Sequence, residues 1–476
     1  MCGFVGAFDA SIPRHEFAAA LDVLSHRGPD GRQVTETGPL SLGCCRLAIV
    51  PPRQAPAIHT SPQGCTLALN GEIYGFQWRA NVPPDATEAE ALGLLLSEQG
   101  PGVLSDLDGL FAFCFFDGDC LLLARDRFGI KPLYYAHHRR GLVFASEMKA
   151  ILALSGFSRE PDEDVMSAFM VVGHNVFPGR TPFRAIRALR PGHFLEYRVG
   201  AEARELPFAQ VASVPAPGEG RFVEPELLEE QVEGLLTAST RAAVTHDPNP
   251  KALFFSGGLD SSLLLDIARG EGEVTAFVLS DREDADDLLE ARRVAAALGV
   301  PLREQHIDEL DLAREIVHYA WHFEHPIAGG AFDLFGGVAF HALARTIGRE
   351  FKVALCGEGA DELFLGYHRL HVEPRLAAAS IAERARRHAT PELSEWLGEQ
   401  GLAPPGPQVS RALRNLTLRQ GLCEYHLPSV DRSGMAFGLE VRPPYLDNGL
   451  ADLVASLDEA CLIDRRQGWT KLPLRG

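Results

Sequence analysis

From Glu226 onward the apolar positions follow two alternating rhythms: short unbroken runs, and stretches where they return every three or four residues. Leu227 to Val244 has the second rhythm and predicts a helix. Lys251 to Phe255 predicts a strand, after which Leu263, Leu264, Ile267 and Ala268 recur at helical spacing. Val274 to Leu279 predicts the next strand, Ala285 to Leu298 a helix stopped by Gly299, Pro301 to Ile307 an extended piece, and Lys352 to Cys356 a further strand. Strands separated by helices predict a parallel α/β sheet, and such sheets bind ligands at the carboxyl ends of their strands. Upstream, Pro191-Gly192-His193 predicts a turn before the last strand of the N-terminal half. Leu206 to Gly220, polar and rich in Pro and Gly, reads as a linker.

Two loops fall at predicted strand ends. Ser256-Gly257-Gly258-Leu259-Asp260-Ser261-Ser262 joins a strand to a helix. Its glycines let the backbone turn tightly and leave amide N–H groups uncovered. With the Ser256, Ser261 and Ser262 hydroxyls and the positive end of the helix they form an anion site suited to phosphate. Asp260 would repel phosphate unless a cation lay between them, so it reads as a magnesium ligand. The loop lacks the Gly-Lys-Ser/Thr ending of a Walker loop. The second loop, Gly357-Glu358-Gly359-Ala360-Asp361-Glu362, has two glycines and three acids, poor material for a core and good material for a metal and substrate site.

The 476 residues exceed one ordinary core and predict two or three domains. A hydrophobic content of 46% with 23% charged residues is that of a soluble globular protein. The net charge of -19 argues against binding a nucleic-acid backbone, which needs clustered Lys and Arg. No apolar run reaches membrane-span length and the first ten residues have no signal core, so no membrane is expected and the cytoplasm is the expected location. Nine cysteines in no paired zinc-ligand spacing suit a reducing compartment.

Cys2 follows the initiator. Removal of Met1 would place its α-amino group beside its own thiol, so that one residue supplies both base and nucleophile. Downstream come His26-Arg27-Gly28-Pro29-Asp30-Gly31, Arg46 to Val50, Asn70-Gly71-Glu72-Ile73-Tyr74 and Asp108 to Phe113. In this order they resemble the class II glutamine amidotransferase domain. Arg125 to Tyr135 and Phe144 to Ala150 resemble, more narrowly, the amidotransferase half of glutamine-hydrolysing asparagine synthetases. The Ser-Gly-Gly-x-Asp-Ser loop resembles that of ATP pyrophosphatases. Gly357 to Phe364 and Met435 to Asp447 resemble the remaining synthetase motifs, with Glu440 and Arg442 expected to form a structural ion pair.

The resemblance implies a two-domain α/β and α+β chain. Residues 1–205 would be an Ntn-hydrolase-like αββα sandwich, 206–225 a linker, and 226–476 a parallel-sheet α/β nucleotide-binding domain with a helical C-terminal part. It implies Cys2 as nucleophile on glutamine, Asn70 and Gly71 as the oxyanion hole, and Arg46 and Asp108 on the glutamine carboxylate and ammonium. On the synthetase side it implies Ser256, Gly257, Gly258, Asp260, Ser261, Ser262 and Gly357 on ATP, Asp260 and Asp361 on magnesium, and Glu358 facing the reacting carboxylate. Glutamine would yield ammonia, carried through an internal channel to a carboxylate adenylated by ATP. The acceptor, aspartate or a pathway-specific acid, stays open. So do an amide cyclase of the β-lactam synthetase or lasso-peptide cyclase kind and a nucleotide-binding homologue without catalysis. A homodimer, or a partner chain completing the synthetase site, is equally open. The resemblance also implies a shortened C-terminus without a charge-stabilising lysine loop, hence slow amide formation unless Lys471, in Lys471-Leu472-Pro473-Leu474-Arg475, moves in or a partner chain or a missing C-terminal segment supplies the cation.

Overall fold

The computed structural model describes residues 2–51, 55–61, 64–74, 82–83, 86–139, 141–211, 215, 218–327, 336–406 and 408–475. They form two compact units. The first comprises Met1–Asp162, Phe177–Gln210 and Gly434–Glu440, and the second Glu163–Val176, Val211–Ser433 and Val441–Gly476.

The first unit is built on two six-stranded sheets. In one, Cys2–Phe8 lies between Leu40–Arg46 and Gly141–Ala145, antiparallel to both. In the other, Asp108–Phe116 lies between Thr66–Tyr74 and Cys120–Arg125, again antiparallel. Strand alternation decides which side chains meet. Cys2, Phe4 and Phe8 share one core with Ala68, Ala112, Cys114 and Phe116 of the other sheet. The intervening Val5 and Ala7 face outward, onto Phe17, Ala20 and Leu21 of the Arg14–Asp22 helix. On the second sheet Leu67, Leu69, Phe111 and Phe113 face outward onto the Glu88–Gln99 helix. That helix starts at a capping box in which Thr87 and Glu90 satisfy each other's backbone N–H. The layers are therefore helix, sheet, sheet, helix. His193–Arg198 is not the last strand here. Arg204–Pro207 pairs with it and runs two residues into the stretch whose Pro and Gly content had suggested a linker, and part of 206–225 lies outside the described residues.

The second unit carries a five-stranded sheet in the order Leu302–His306, Val274–Ser280, Lys251–Phe254, Val353–Leu355, Glu440–Arg442. The first four strands are mutually parallel. Helices run at Pro225–Thr245, Leu259–Glu271 and Asp286–Leu298, the last ended by a left-handed Gly299. The C-terminal part is helical, including Pro374–His388, Pro391–Glu399, Leu427–Met435 and Asn448–Ser456. Lys251–Phe254 and Val353–Leu355 are neighbours, so the two loops singled out above leave adjacent strands at the same end.

Candidate active sites

Cys2 opens the first strand, is buried, and stands opposite Arg46 in the antiparallel register. Its backbone N–H donates to Oδ1 of Asn70 at 3.3 Å, tying the two sheets together at this point. Asn70 is fully buried, and its Nδ2 has no hydrogen-bond partner among the described residues. A buried donor left unmade costs about 1–3 kcal/mol, which marks it as aimed at something that arrives later. Beside it, Gly71 has φ +144, and a Cβ there would stand 2.1 Å from the carbonyl oxygen of Leu110. Only glycine keeps both the backbone direction and the strand pairing.

The Cys2 thiol is lowered to about 6, chiefly by a hydrogen bond from Cys44 and then, against burial, by positive charge that includes Arg46 and by the Leu47 backbone. It is therefore largely thiolate at neutral pH, the form that attacks carbonyl carbon. Cys44 itself is pushed well up by the same hydrogen bond and by burial, so it remains a donor. Cys2, Arg46, Asn70 and Gly71 thus come together. Asp108 starts its strand opposite Tyr74, four residues along the neighbouring strand from Asn70 and about 13 Å away at ordinary strand rise.

The motifs around this centre are structural. Arg27 is fully buried under the first strand and donates to Glu147 Oε1 at 2.9 Å, where His26 also reaches at 3.1 Å. Glu147 is buried, which opposes its ionisation, but His26, Lys149 and Arg27 hold it well below the usual carboxylate range. Asp30 accepts the N–H of Ala48 at 2.8 Å and so fixes the chain just past Arg46. Asp126 accepts from the backbone of Phe111, Phe128, Ile130 and Lys131, and Arg125 donates to the carbonyls of Gly129, Lys131 and Leu189. Each charge of the Glu440–Arg442 strand has a buried partner of its own elsewhere: Lys131 at 2.7 Å from Glu440, and Asp247 at 2.7 Å from Arg442.

In the second unit the loop after Phe254 is closed on itself by its serines. Ser256 Oγ lies 3.3 Å from Ser261 Oγ and accepts the Gly258 N–H, while Ser262 Oγ donates to the Gly257 carbonyl at 3.2 Å. Gly257 has φ +74, and a Cβ there would meet the Ala291 nitrogen at 2.5 Å. Asp260 is in the first turn of the Leu259–Glu271 helix, and its carbonyl accepts from the Tyr445 hydroxyl at 3.1 Å. Its carboxylate is ion-paired with Lys471, which also lies 2.7 Å from Asp361 Oδ1. Lys471 sits in a left-handed backbone conformation, its N–H bonded to the Phe364 carbonyl just after the acidic loop. Burial raises Asp260 while Lys471 opposes the rise.

Glu358 lies 3.7 Å from His426 Nδ1, whose Nε2 faces Glu362 at 3.7 Å. The Tyr367 hydroxyl donates to Glu362 at 2.5 Å and lies 3.3 Å from the same Nε2. Burial pushes Glu358 up to about 7; His426 opposes the shift, and the carboxylates of Glu362, Asp361 and Asp260 add to it.

Comparison with known proteins accounts for both halves. Residues 1–207 match the glutamine amidotransferase domain family, and residues 231–476 match the asparagine synthase family. The chain belongs to the glutamine-hydrolysing asparagine synthetase family. The chain is 30% identical to amidase chry2 of Gibberella zeae over 75% of its own length and 56% of that protein's. It is 29% identical to amidase chyE of Penicillium rubens over 74% of its length and 55% of that protein's. It is 25% identical to asparagine synthetase [glutamine-hydrolyzing] 2 of Bacillus subtilis over 100% of its length and 69% of that protein's. The chain thus spans little more than half of the two amidases.

Several residues at the two candidate sites were not expected from sequence. Cys44 had only its place two residues before Arg46 on the strand that pairs with Cys2. Tyr367, His426 and Tyr445 come from turns and helices whose approach to the acidic loop is set by tertiary folding. Lys471 was expected to be absent from the site unless it moved in, and the structure places its ammonium between Asp260 and Asp361.

Proposed function

We propose that the chain is a glutamine-dependent, ATP-consuming ligase that converts a carboxylate into an amide. The observation that carries the reading is the convergence of Asp260, from the phosphate loop, with Asp361 and Lys471 on one point beside Glu358. A phosphate loop, two acids and one lysine serve to bind a triphosphate and stabilise charge during transfer at its α-phosphorus.

At the first site the Cys2 thiolate attacks the glutamine side-chain carbonyl. Asn70 Nδ2 and the Gly71 N–H receive the negative oxygen; as it collapses to the thioester the C–N bond breaks, and the protonated α-amino group of Cys2, exposed by removal of Met1, gives the leaving nitrogen its proton so that it departs as ammonia. Water then releases glutamate. Arg46 and Asp108 hold the α-carboxylate and α-ammonium. At the second site a carboxylate oxygen attacks the α-phosphorus of ATP, pyrophosphate leaves, and ammonia displaces AMP from the acyl adenylate. The loop's Ser256, Gly257, Gly258, Ser261 and Ser262, with Gly357, cradle the phosphates. Glu358, near 7, takes the proton that ammonia loses as the C–N bond forms.

Asp260 and Asp361 would hold magnesium. The fit rests on hard oxygen donors and on Asp260 Oδ1, buried without a hydrogen-bond partner among the described residues. Bound there, the ion would neutralise phosphate charge.

The acceptor is aspartate or another acid, since the relatives include both an asparagine synthetase and proteins named amidases. Incubation with ATP, magnesium, glutamine and a panel of carboxylic acids should give pyrophosphate and one amide of defined mass. Unchanged ATP with every acid, glutamine hydrolysis notwithstanding, would reject the ligase reading.

A further inference from the structure

The Glu309–Phe323 helix carries Glu315, His318 and His322, at positions three and seven residues on from the first, so all three lie along one face. The Ala339–Ile347 helix brings the fully buried His341 against them. His318 Nδ1 and His341 Nε2 are 2.7 Å apart, and the His322 ring stands 4.7 Å from that of His318 and 5.9 Å from that of His341. One ligand atom from each of Glu315, His318 and His341 falls within 4.8 Å of the other two. None of these groups has a part in the reaction above.

We propose that these two helices share a binding site for one divalent transition-metal ion of the zinc class, with Glu315, His318 and His341 as ligands. Two imidazoles and a carboxylate are the donor set such ions take, with a fourth position left for water. The contact between the imidazoles already requires one of the facing nitrogens to present a lone pair to the other. An ion replaces the shared proton, and two nitrogens on a tetrahedral zinc stand about 3.3 Å apart, a widening that small χ rotations supply. Arg345 donates to Glu315 Oε2 at 2.9 Å. It leaves the other oxygen for the ion and orients the carboxylate, while its positive charge lowers affinity.

The site would act on the nucleotide loop through a short path. Phe340, next to His341, stacks on Phe254 at 3.9 Å, and Phe254 ends the strand that enters the loop. A metal cross-link between the helices would thereby stiffen one wall of the phosphate site.

The test uses the full chain, stripped with EDTA, desalted and given zinc chloride or cobalt chloride. The wild type should retain about one equivalent of zinc through gel filtration, and its cobalt form should show visible d–d bands without a thiolate charge-transfer band. His318→Ala should retain less than a tenth of that zinc, and Glu315→Gln should bind at least about tenfold more weakly. Neither position is fully buried, and Glu315→Gln keeps shape and size, so the variants should fold, checked by circular dichroism in EDTA; the fully buried His341 is left intact for that reason. His426→Ala, which disrupts the other carboxylate–histidine cluster, should keep its zinc. No retained zinc in the wild type, equal retention by His318→Ala, or loss of zinc in His426→Ala would each overturn the proposal.

Discussion

At Cys2 the reactive form of the thiol is set by a neighbouring thiol, with no histidine in the role of base. Cys44 is the largest cause holding Cys2 near 6, against an ordinary value of 9.0. The thiolate is nucleophilic, so glutaminase kcat/KM should rise as pH climbs through about 6 and level off by neutrality. Cys44→Ala should move that rise to higher pH with little effect on the plateau, and an unmoved profile would show that Cys44 does not set the titration. Glu358 calls for the same reasoning on the other half. Its basic form grows as pH passes about 7, so ammonia-dependent amide formation at fixed free ammonia should rise through that value. Because His426 opposes the shift, His426→Ala should push the rise upward. Lys471→Ala leaves Asp260 and Asp361 without their shared cation and should slow pyrophosphate release by about a hundred- to a thousand-fold, with glutamine hydrolysis unchanged.

Among the elements, the strands and helices that carry the sites were legible because their apolar spacing is strict. Lys251–Phe254, Val274–Ser280, the Asp286–Leu298 helix and its Gly299 stop follow the hydrophobic pattern closely. Arg204–Pro207 was not legible: a short edge strand of mixed polarity looks like the Pro- and Gly-rich chain that follows it. Sequence also could not assign partners to Glu440 and Arg442, since choice of partner depends on which strands become neighbours. Lys131 and Glu440 are both almost fully buried, 2.7 Å apart. Removing one charge strands the other, so Glu440→Gln should cost about 3–5 kcal/mol in urea unfolding. Replacing both by apolar residues of similar size should recover most of that loss. A double variant no more stable than the single one would mean that the pair does more than neutralise itself.

For the molecule as a whole, the two proposed reactions would draw on residues of different units: Cys2, Asn70 and Gly71 in the first, and Asp260, Asp361 and Lys471 in the second. Cys2→Ala should therefore abolish glutamine use and leave amide formation from ammonium salts intact, measured as product with each nitrogen source. Asp260→Asn and Asp361→Asn should do the reverse. Motif order along the chain made this division readable, because each short loop carries its own chemistry. What the order could not convey was the return of a residue near position 471 to a loop at 260, a contact fixed by the path of the helical C-terminal part.

The unmatched Nδ2 of Asn70 carries a further consequence, one for protein engineering. Selection for thermal robustness alone places little premium on that amide, since its desolvated donor weighs against the native state about as much as its oxygen's bond to the Cys2 N–H supports it. Asn70→Val loses the unmatched donor but also the acceptor of the buried Cys2 N–H, two opposing changes of about 1–3 kcal/mol each, so it should melt close to the parent while glutamine turnover falls by two or three orders of magnitude. A screen for heat resistance alone would then let inactive variants at this position pass, and any stabilisation campaign needs glutamine turnover as its second filter.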